Sequence, residues 1–435
     1  MKNLAFFIFF LSIPTLAQDG FRIENNRAKF SLSFELVNDL IIVPVQLNGV
    51  ELSFLLDTGV DKTILFSLKA NDSMELHSTS SVFFRGLGTD KAVKALQSKG
   101  HQIQIGKAIN NNTTVFIIFE HEMSLSTRMG VPIHGIIGYD FFKDFVVKVN
   151  YQTRKLKVYD PKKFEYRNCR GCDDLEIVFQ KNKPFTKVAA QVNDSISKNL
   201  NLLIDSGSGD ALWLFQGTDK QLQVPENAFP DFLGFSLSGS VHGFRSRIPS
   251  LKIGNFKFEE ITASFPDTTY TEGINELHNR DGSLGSKVLK RFHMIIDYSH
   301  NKIRLKPNRA YKDAFEYDMS GIVLAHAGLA FVKEFEVFEI EVSIENDISK
   351  RKTHQPKFSL KPQYIIMEVR KNSPAEIAGL QKGDMLISIN GRATYNFTLS
   401  KILKILSSED GKKIKMKIKR NGIEQTISFK LERLL

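Results

Sequence analysis

The stretch LSFLLDTGVDKTIL, residues 52–65, runs three apolar residues straight into the acid Asp57. The stretch NLLIDSGSGDALWLF, residues 201–215, does the same with Asp205. In each, a hydroxyl residue and a glycine follow the acid. A carboxylate at the end of a buried strand costs free energy unless it has a partner. Two such turns in one chain therefore predict a matched pair of acids.

The two acids belong to an internal duplication. Asp205 follows Asp57 by 148 residues (205 − 57), and a second matching segment follows each acid at nearly the same offset. GIIGYDFFKDFVVKVNYQTRKLKVY, from Gly135, matches GSLGSKVLKRFHMIIDYSHNKIRLKP, from Gly282, without gaps. Each half reads as alternating strands, the acid turn, a Gly-punctuated β segment, a short helix and a closing hairpin, and Asn48-Gly49 marks a tight turn. The pattern predicts two similar β-rich lobes, 28–160 and 175–310.

This arrangement resembles the pepsin-like and retropepsin-like aspartic peptidases. Their mark is D-[ST]-G after an apolar strand, followed later in the same lobe by two residues, usually apolar, and a glycine. Both marks occur twice here, the later one as Ile136-Ile137-Gly138 and Ser283-Leu284-Gly285. The resemblance implies a mainly β, bilobal fold with Asp57 and Asp205 as catalytic residues. It assigns supporting roles around the pair to Thr58, Gly59, Ser206 and Gly207.

Peptide hydrolysis by two carboxylates needs one of them charged and one protonated. Close together, the two cannot both ionise easily, so the pair retains a proton. The charged member activates water, the protonated member donates to the substrate carbonyl, and the proton belongs to the pair. Asp61 departs from the family pattern and is expected to raise the pKa of the acids if it lies close. Gly86-Leu87-Gly88 and Ser238-Gly239-Ser240 are expected either as substrate-covering flaps or as plain surface hairpins.

After about residue 315 the duplication ends and another pattern begins. SPAEIAGLQKGDMLISINGR, from Ser373, with an amphipathic helix in SKILKILSS, resembles a PDZ domain, and 318–435 is assigned to it. The resemblance implies a small β-barrel with two helices that binds a C-terminal peptide by strand addition. Gly328, Leu329, Ala330 and Phe331 are the candidates for its carboxylate-binding loop, and residues 344–363 are expected to form a long flexible loop. A purely structural PDZ domain, docked on the lobes, is the alternative.

Composition and the chain start bear on cellular context. The 435 residues carry a net charge of +11, but the lysines are scattered, so no nucleic-acid partner is expected. A short positive start, an apolar run at residues 4–13 and Thr15-Leu16-Ala17 predict a signal peptide over 1–17. No later apolar run is long enough for a transmembrane anchor. The protein is expected to be exported, periplasmic or secreted.

Cys169 and Cys172 are the two cysteines of the chain. A structural disulfide is favoured in an exported protein, whereas a redox centre or half of a zinc site is the minority interpretation. No metal ligand set and no cofactor are expected. Two lobes in one chain make a monomer sufficient.

Three functions follow, from different classes. The first is an exported aspartic endopeptidase that acts on protein or peptide substrates, with a PDZ domain for recruitment. The second is a catalytically silent peptide-binding or scaffold protein on the same fold. The third is a thiol-redox role for the cysteine pair.

Overall fold

The computed structural model describes residues 20–66, 76–84, 92–119, 125–193, 195–217, 222–236, 239–271, 279–344 and 347–435. The expected signal peptide, the flap segment Gly86-Leu87-Gly88 and Ser238 lie outside these residues. The fold is mainly β, as the sequence predicts, with two similar lobes followed by a PDZ-like domain.

The first half of the chain builds lobe 1. Its central sheet runs β1-β9-β6-β10-β5-β4-β8-β7, with β3 paired to β4. Asn48 and Gly49 both adopt positive φ and close the β4–β5 hairpin, the turn that an Asn-Gly pair predicts. The elements are β1 Arg22–Ile23, β2 Lys29–Ser33, β3 Glu35–Val37, β4 Leu40–Leu47, β5 Val50–Leu56, β6 Thr63–Phe66, β7 Ser80–Phe84, β8 Val93–Ile105, β9 Ala108–Ile118, α1 Leu125–Met129, β10 Gly135–Ile137, α2 Tyr139–Phe142, β11 Val146–Asn150 and β12 Lys155–Tyr159.

The second half repeats this plan as lobe 2. Its sheet runs β14-β15-β16-β21-β17-β20-β19-β18. β21 lies parallel to β16, as β10 lies parallel to β5 in lobe 1, so the duplication seen in sequence is also a duplication of topology. The elements are β13 Asp173–Glu176, β14 Val178–Gln180, β15 Lys183–Gln191, β16 Ser197–Ile204, β17 Leu212–Leu214, β18 Phe229–Ser236, β19 Gly239–Ile253, β20 Phe256–Pro266, β21 Gly282–Leu284, α3 Ser286–Leu289, β22 Phe292–Asp297 and β23 Lys302–Pro307.

A third sheet joins the two lobes. It runs β13-β23-β22-β11-β12-β2, and β11 of lobe 1 pairs antiparallel with β22 of lobe 2 from Val146↔Asp297 to Asn150↔His293. One cluster of buried apolar side chains extends through both lobes and includes Phe54, Phe141 and Phe292. The lobes therefore share backbone hydrogen bonds and a core, which fixes their relative position.

The PDZ-like domain has a sheet and a core of its own. The sheet runs β24-β25-β26-β28-β29, with β27 on β26, and Ile366, Ile402 and Met416 are among its fully buried residues. Ser373 caps the first of its helices by accepting from the Glu376 amide, and Pro374 occupies the first turn. The elements are β24 Ile322–Ile344, β25 Asp347–Val369, α4 Pro374–Ile377, β26 Met385–Ile389, β27 Arg392–Ala393, α5 Leu399–Leu406, β28 Lys413–Arg420 and β29 Ile423–Lys430.

The expected long loop at residues 344–363 is wrong for the part that the structure describes. From Asp347 onward this stretch belongs to β25, which pairs with β24 to Ile344↔Asp347 and projects as a two-stranded arm. Most side chains of the arm at residues 331–339 and 351–360 are exposed, for example Phe331 at 79% and Phe358 at 65%. Polar residues that face solvent on both sides of a ribbon leave no apolar alternation to mark a strand, so the sequence resembled a loop.

The PDZ-like domain packs against both lobes. Arg370 forms an ion pair with Asp231 of lobe 2 at 3.5 Å and lies over the ring of Phe229. On the side of lobe 1, α1 contacts β24, and Gly130 lies beside His326 of β24 and Leu399 of α5. Its placement beside the lobes is therefore set by charged, aromatic and backbone contacts.

Candidate active site

Two equivalent loops carry the predicted acids to the junction of the lobes. Asp57 directly follows β5, and its amide donates to Ile137 O at 2.9 Å at the end of the parallel strand β10. Asp205 directly follows β16, and its amide donates to Leu284 O at 3.0 Å at the end of β21. Each acid therefore leaves its sheet between two parallel strands, where the chain must turn.

The hydroxyl residues after the acids connect the loops across the lobe interface. Thr58 Oγ1 donates to Ile204 O at 2.7 Å and accepts from the Ser206 amide at 3.0 Å. Ser206 Oγ donates to Leu56 O and accepts from the Thr58 amide, both at 3.0 Å. The four bonds are related by the duplication and are buried. Thr58 and Ser206 thus join the loops of the two acids directly.

The two carboxylates share a backbone donor. The Gly207 amide lies 3.1 Å from Asp57 Oδ1 and 3.1 Å from Asp205 Oδ1, and the Gly59 amide donates to Asp57 Oδ1 at 2.7 Å. A Cβ built on Gly207 would overlap Asp57 Oδ2, so this position needs glycine because the two loops approach so closely. The structure thus brings together all six residues that the sequence assigned to the pair.

The pair sits in an environment that disfavours charge. Burial, and next the charge of Asp205, raise the pKa of Asp57 to about 7, against the lowering effect of the Gly59 and Gly207 amides and Lys183. Burial also raises the pKa of Asp205, opposed first by the charge of Arg280. The arrangement therefore retains a proton over the mildly acidic range, as acid–base chemistry by two carboxylates requires.

Sequence reasoning missed the cations near the pair. Arg280, just before β21, is 6% exposed, and Lys183 begins β15. Burial lowers the pKa of Arg280 to about 10, and the charges of Asp205 and then Asp57 oppose this shift. The duplication offers a signal that could have found Arg280: at the offset of 147 it corresponds to Ile133, an apolar residue buried in lobe 1.

Asp61 is not among the groups that act most strongly on the pKa of Asp57. The charges that act most strongly on Asp57 are those of Asp205 and Lys183. Asp61 instead lies 4.0 Å from the ammonium of its neighbour Lys62, and its charge acts on Asp140. The charged groups with which Asp61 interacts are therefore Lys62 and Asp140.

The remaining sequence candidates lie away from the acids. Cys169 and Cys172 form a disulfide between β12 and β13, with Cα atoms 5.5 Å apart. Within the described residues, no group of three or more His, Cys, Asp or Glu is placed to hold a metal ion. In that same part of the chain, no helix is long and apolar enough to cross a membrane.

The proposed carboxylate-binding loop of the PDZ domain needs a correction. Gly328, Leu329, Ala330 and Phe331 lie inside β24 rather than in a loop before it, and Leu329 to Phe331 pair with Pro362 to Leu360 of β25. A bulge separates His326 from Leu329, and Leu329 and Phe331 are exposed. The length of β24 could not be predicted from the sequence, because its partner strand β25 carries no pattern that predicts a strand.

Comparisons with known proteins match two parts of the chain. The family described as aspartyl protease matches residues 43–141, which contain Asp57 and β10. The family described as PDZ domain matches residues 365–420. The predicted resemblance, an aspartic-peptidase-like part followed by a PDZ domain, is thereby confirmed.

Individual relatives are similar over short segments. A carboxy-terminal processing protease, CtpB, of Bacillus subtilis is 38% identical over 69 residues, 16% of this chain and 14% of that protein. A retrovirus-related Pol polyprotein from transposon 412 of Drosophila melanogaster is 27% identical over 134 residues, 30% of this chain and 10% of the polyprotein. The chain thus spans about a seventh or less of the length of these two relatives.

Among solved structures, an aspartic proteinase from Irpex lacteus aligns with a TM-score of 0.42 and 13% identity. The alignment covers 66% of this chain and 99% of that protein.

Proposed function

We propose that this protein is an exported aspartic endopeptidase that hydrolyses protein or peptide substrates at the junction of its two lobes. Asp57 and Asp205 form the catalytic pair, and Thr58, Gly59, Ser206 and Gly207 support it. The observation that carries the proposal is the Gly207 amide at 3.1 Å from an oxygen of each carboxylate. Because the two acids come from different lobes and contact the same amide, we interpret them as one pair rather than as two separate turn caps.

The chemistry follows from one proton on the pair. The ionised carboxylate takes a proton from a water molecule, whose oxygen attacks the scissile carbonyl carbon, while the protonated carboxyl donates to the carbonyl oxygen. A tetrahedral diol forms with no net change in charge. It collapses as the C–N bond breaks and a proton passes to the leaving amine, which gives a carboxylic acid and an amine and restores the pair. The raised pKa of Asp57, about 7, supplies a carboxyl that is still protonated in mildly acidic solution.

The second part of the proposal concerns the PDZ domain. The match to the PDZ family supports peptide binding by this domain, which contacts lobe 2 through Arg370 and lobe 1 through α1. We assign to the PDZ domain the recruitment of a substrate or partner chain. Because the domain packs against both lobes, a chain bound to it would lie beside them. The predicted signal peptide supports an extracytoplasmic site of action.

Cleavage of a mixed peptide library by residues 18–435, from pH 3 to 8, tests the proposal. Asp57→Asn and Asp205→Asn should each lower the cleavage rate by about 100- to 10,000-fold, because each removes one partner in proton transfer. Asp61→Asn is the matched control, since it removes an acid four residues from Asp57 and should cleave like wild type. Full activity in either of the first two variants would contradict the assignment.

The silent scaffold is the competing function, and the same protein tests it. Wild type that binds library peptides but cleaves none at any pH would favour a binding protein on this fold. A thiol-redox role would require Cys169→Ser with Cys172→Ser to abolish a measurable thiol–disulfide exchange. We expect that double variant to retain cleavage.

A further inference from the structure

A chain of buried ion pairs connects the loop after Asp205 to the PDZ domain. Arg245 of β19 binds Asp210 through Nη1 at 3.1 Å and Asp231 of β18 through Nε at 2.7 Å. Arg370, the residue after β25, lies 3.5 Å from the other carboxylate oxygen of Asp231. Arg245 and Arg370 are only 7% and 9% exposed. The four side chains therefore form a continuous ion-pair network from lobe 2 into the PDZ domain, where screening by solvent is weak.

Asp210 is the end of this network that belongs to the catalytic loop. Only four residues separate it from Asp205, in the loop that leads into β17. Its carboxylate also accepts from Trp213 Nε1 at 2.8 Å and from Ser264 Oγ at 2.9 Å, and its carbonyl accepts from the Lys287 amide at 3.2 Å. The loop is thus fixed at both ends, by the amide of Asp205 on β21 and by the side chain and carbonyl of Asp210.

The duplication shows that the fold does not need a buried network here. At the offset of 148, which also relates the pairing of β6 with β10 to that of β17 with β21, the lobe 1 counterpart of Asp210 is Lys62. The side chain of Lys62 is 42% exposed, and its ion pair is with its neighbour Asp61 at 4.0 Å. Lobe 1 therefore holds its acid loop with a solvent-exposed pair at this position, whereas lobe 2 uses buried charges that reach the PDZ domain.

We propose that Arg370 is a positioning residue for catalysis, which fixes Asp210 through Asp231 and Arg245 and so holds the loop that presents Asp205. The inference rests on the proposed function, since it concerns the rate of that reaction. It gives the PDZ domain a part in the cleavage step that is separate from recruitment of a substrate.

The shared use of Arg245 is the physical reason for this coupling. A buried carboxylate that loses its partner is costly, and without Arg370 the charge of Asp231 must be balanced by Arg245. A shift of Arg245 towards Asp231 weakens its 3.1 Å contact with Asp210. Catalysis is sensitive to such movement, because a displacement of about 1 Å at the reacting groups costs about 100-fold in rate.

The experiment compares Arg370→Met with Arg370→Lys in residues 18–435. Methionine keeps an apolar, polarisable group beside the Phe229 ring but removes the charge, whereas lysine keeps the charge. The substrate is a peptide with an amidated C-terminus, so that capture of a terminal carboxylate does not contribute. We expect Arg370→Met to lower kcat by about 10- to 100-fold with KM within about 2-fold of wild type. Arg370→Lys should recover most of kcat.

Hydrogen exchange followed by mass spectrometry supplies a readout that does not need activity. Peptides that cover residues 205–211 report the loop of Asp205, and peptides that cover β22 report the general stability of lobe 2. Arg370→Met should speed exchange in the first segment by about 10-fold and leave β22 within about 2-fold of wild type. A variant that is merely less stable would exchange faster in both segments.

Asp231→Asn breaks the same ion pair from the side of lobe 2. Added to Arg370→Met, it should lower kcat by less than the product of the two single effects, because both changes act through one network. Effects that multiply fully would contradict the proposal.

Arg420→Met is the matched control. Arg420 forms an ion pair with the buried Asp384 inside the PDZ domain, with Nε at 2.6 Å from Oδ1 and Nη2 at 2.7 Å from Oδ2. This variant should destabilise the PDZ domain while kcat and exchange at residues 205–211 stay within about 2-fold of wild type. If it lowers kcat as much as Arg370→Met does, general loosening of the domain explains the effect and the proposal is wrong.

The two readouts separate this proposal from the proposed function. Wild type that cleaves no peptide would remove the peptidase function, and exchange at residues 205–211 would still decide whether Arg370 fixes the loop. Wild type that cleaves, with kcat or loop exchange unchanged in Arg370→Met, would leave the peptidase standing and remove the role of Arg370. A rise in KM alone would likewise overturn the positioning role and assign Arg370 to substrate recruitment.

Discussion

At the scale of the residue, burial of Asp57 links stability to pH. Its folded-state pKa of about 7 lies above the ordinary value of 3.8, so between these values the folded protein holds a proton that the unfolded chain releases. Folding is then favoured more at low pH, and this contribution is lost as pH rises through about 7. The site therefore reduces neutral-pH stability in order to keep a protonated carboxyl, as functional sites commonly do.

Asp57→Asn should make the protein more stable at pH 8 and change it little at pH 4. The amide cannot ionise, so the variant avoids the cost of a buried charge while Oδ1 still accepts from the Gly59 amide. A gain of 1 kcal/mol corresponds to about 2–4 °C in Tm for a domain of 150–250 residues. Thermal unfolding at several pH values measures this change.

Asp174→Asn provides a control of opposite sign. Its hydrogen bonds with Arg304 lower the pKa of Asp174, so its stabilisation is present above the unfolded value and is lost in acid. The change should weaken the protein slightly at neutral pH, because this pair is solvent-screened. An Asp57→Asn protein less stable than wild type at pH 8 would contradict the burial argument.

At the level of single strands, turn residues and the alternation of apolar and polar residues explain which strands could be predicted from the sequence. Asn48-Gly49 and Asn421-Gly422 close hairpins with both residues at positive φ, as such pairs predict. β5 and β16 could be predicted because each contains a run of apolar residues that ends directly before an acid. The outer part of β25 was not, because most of RKTHQPKFSLKPQ, residues 351–363, is exposed to solvent and no core requires alternation there.

The β24–β25 arm should be dispensable for folding. A ribbon of two strands is marginally stable by itself, and Phe331, Phe335 and Phe358 stay at least 61% exposed on it. Replacing residues 331–360 by Asn-Gly, between the paired Ala330 and Lys361, should change Tm by no more than about 2 °C, since most side chains at residues 331–339 and 351–360 are already exposed to solvent. Calorimetry of the shortened protein measures this.

Ile366→Ala is the comparison for the arm, since Ile366 lies in the same strand but is fully buried in the PDZ core. This change should cost about 2–5 kcal/mol through lost contacts and a cavity. A loss of similar size on removal of the arm would show that the arm supports the core after all.

At the scale of the whole molecule, the two lobes meet through buried polar bonds. Thr58→Val removes the hydroxyl that donates to Ile204 O and accepts from the Ser206 amide, and leaves both backbone groups unsatisfied. The expected cost is about 1–3 kcal/mol in unfolding free energy. Because these bonds hold Asp57 against Asp205, the cleavage rate should fall as well. Denaturant unfolding and kcat/KM are the two measurements.

Thr58→Ser keeps the hydroxyl and should behave much like wild type. Since Thr58 and Ser206 bond to one another's loops, Thr58→Val combined with Ser206→Ala should cost less than the sum of the two single changes. Strict additivity would indicate that the loops do not act as one unit.

From the sequence alone we could predict the duplication, the two acid turns, the mainly β fold and the presence of a PDZ domain. These follow from local signals: apolar alternation, turn residues and motifs at a constant offset. The folded structure was needed to show that β11 pairs with β22, that the PDZ domain rests on both lobes, and that Arg280 is buried against Gly282 of β21. Strand pairing across lobes and the placement of a charge depend on contacts between residues far apart in sequence. The local sequence pattern does not specify those contacts, because the same residue types could pair with other strands or charges equally well.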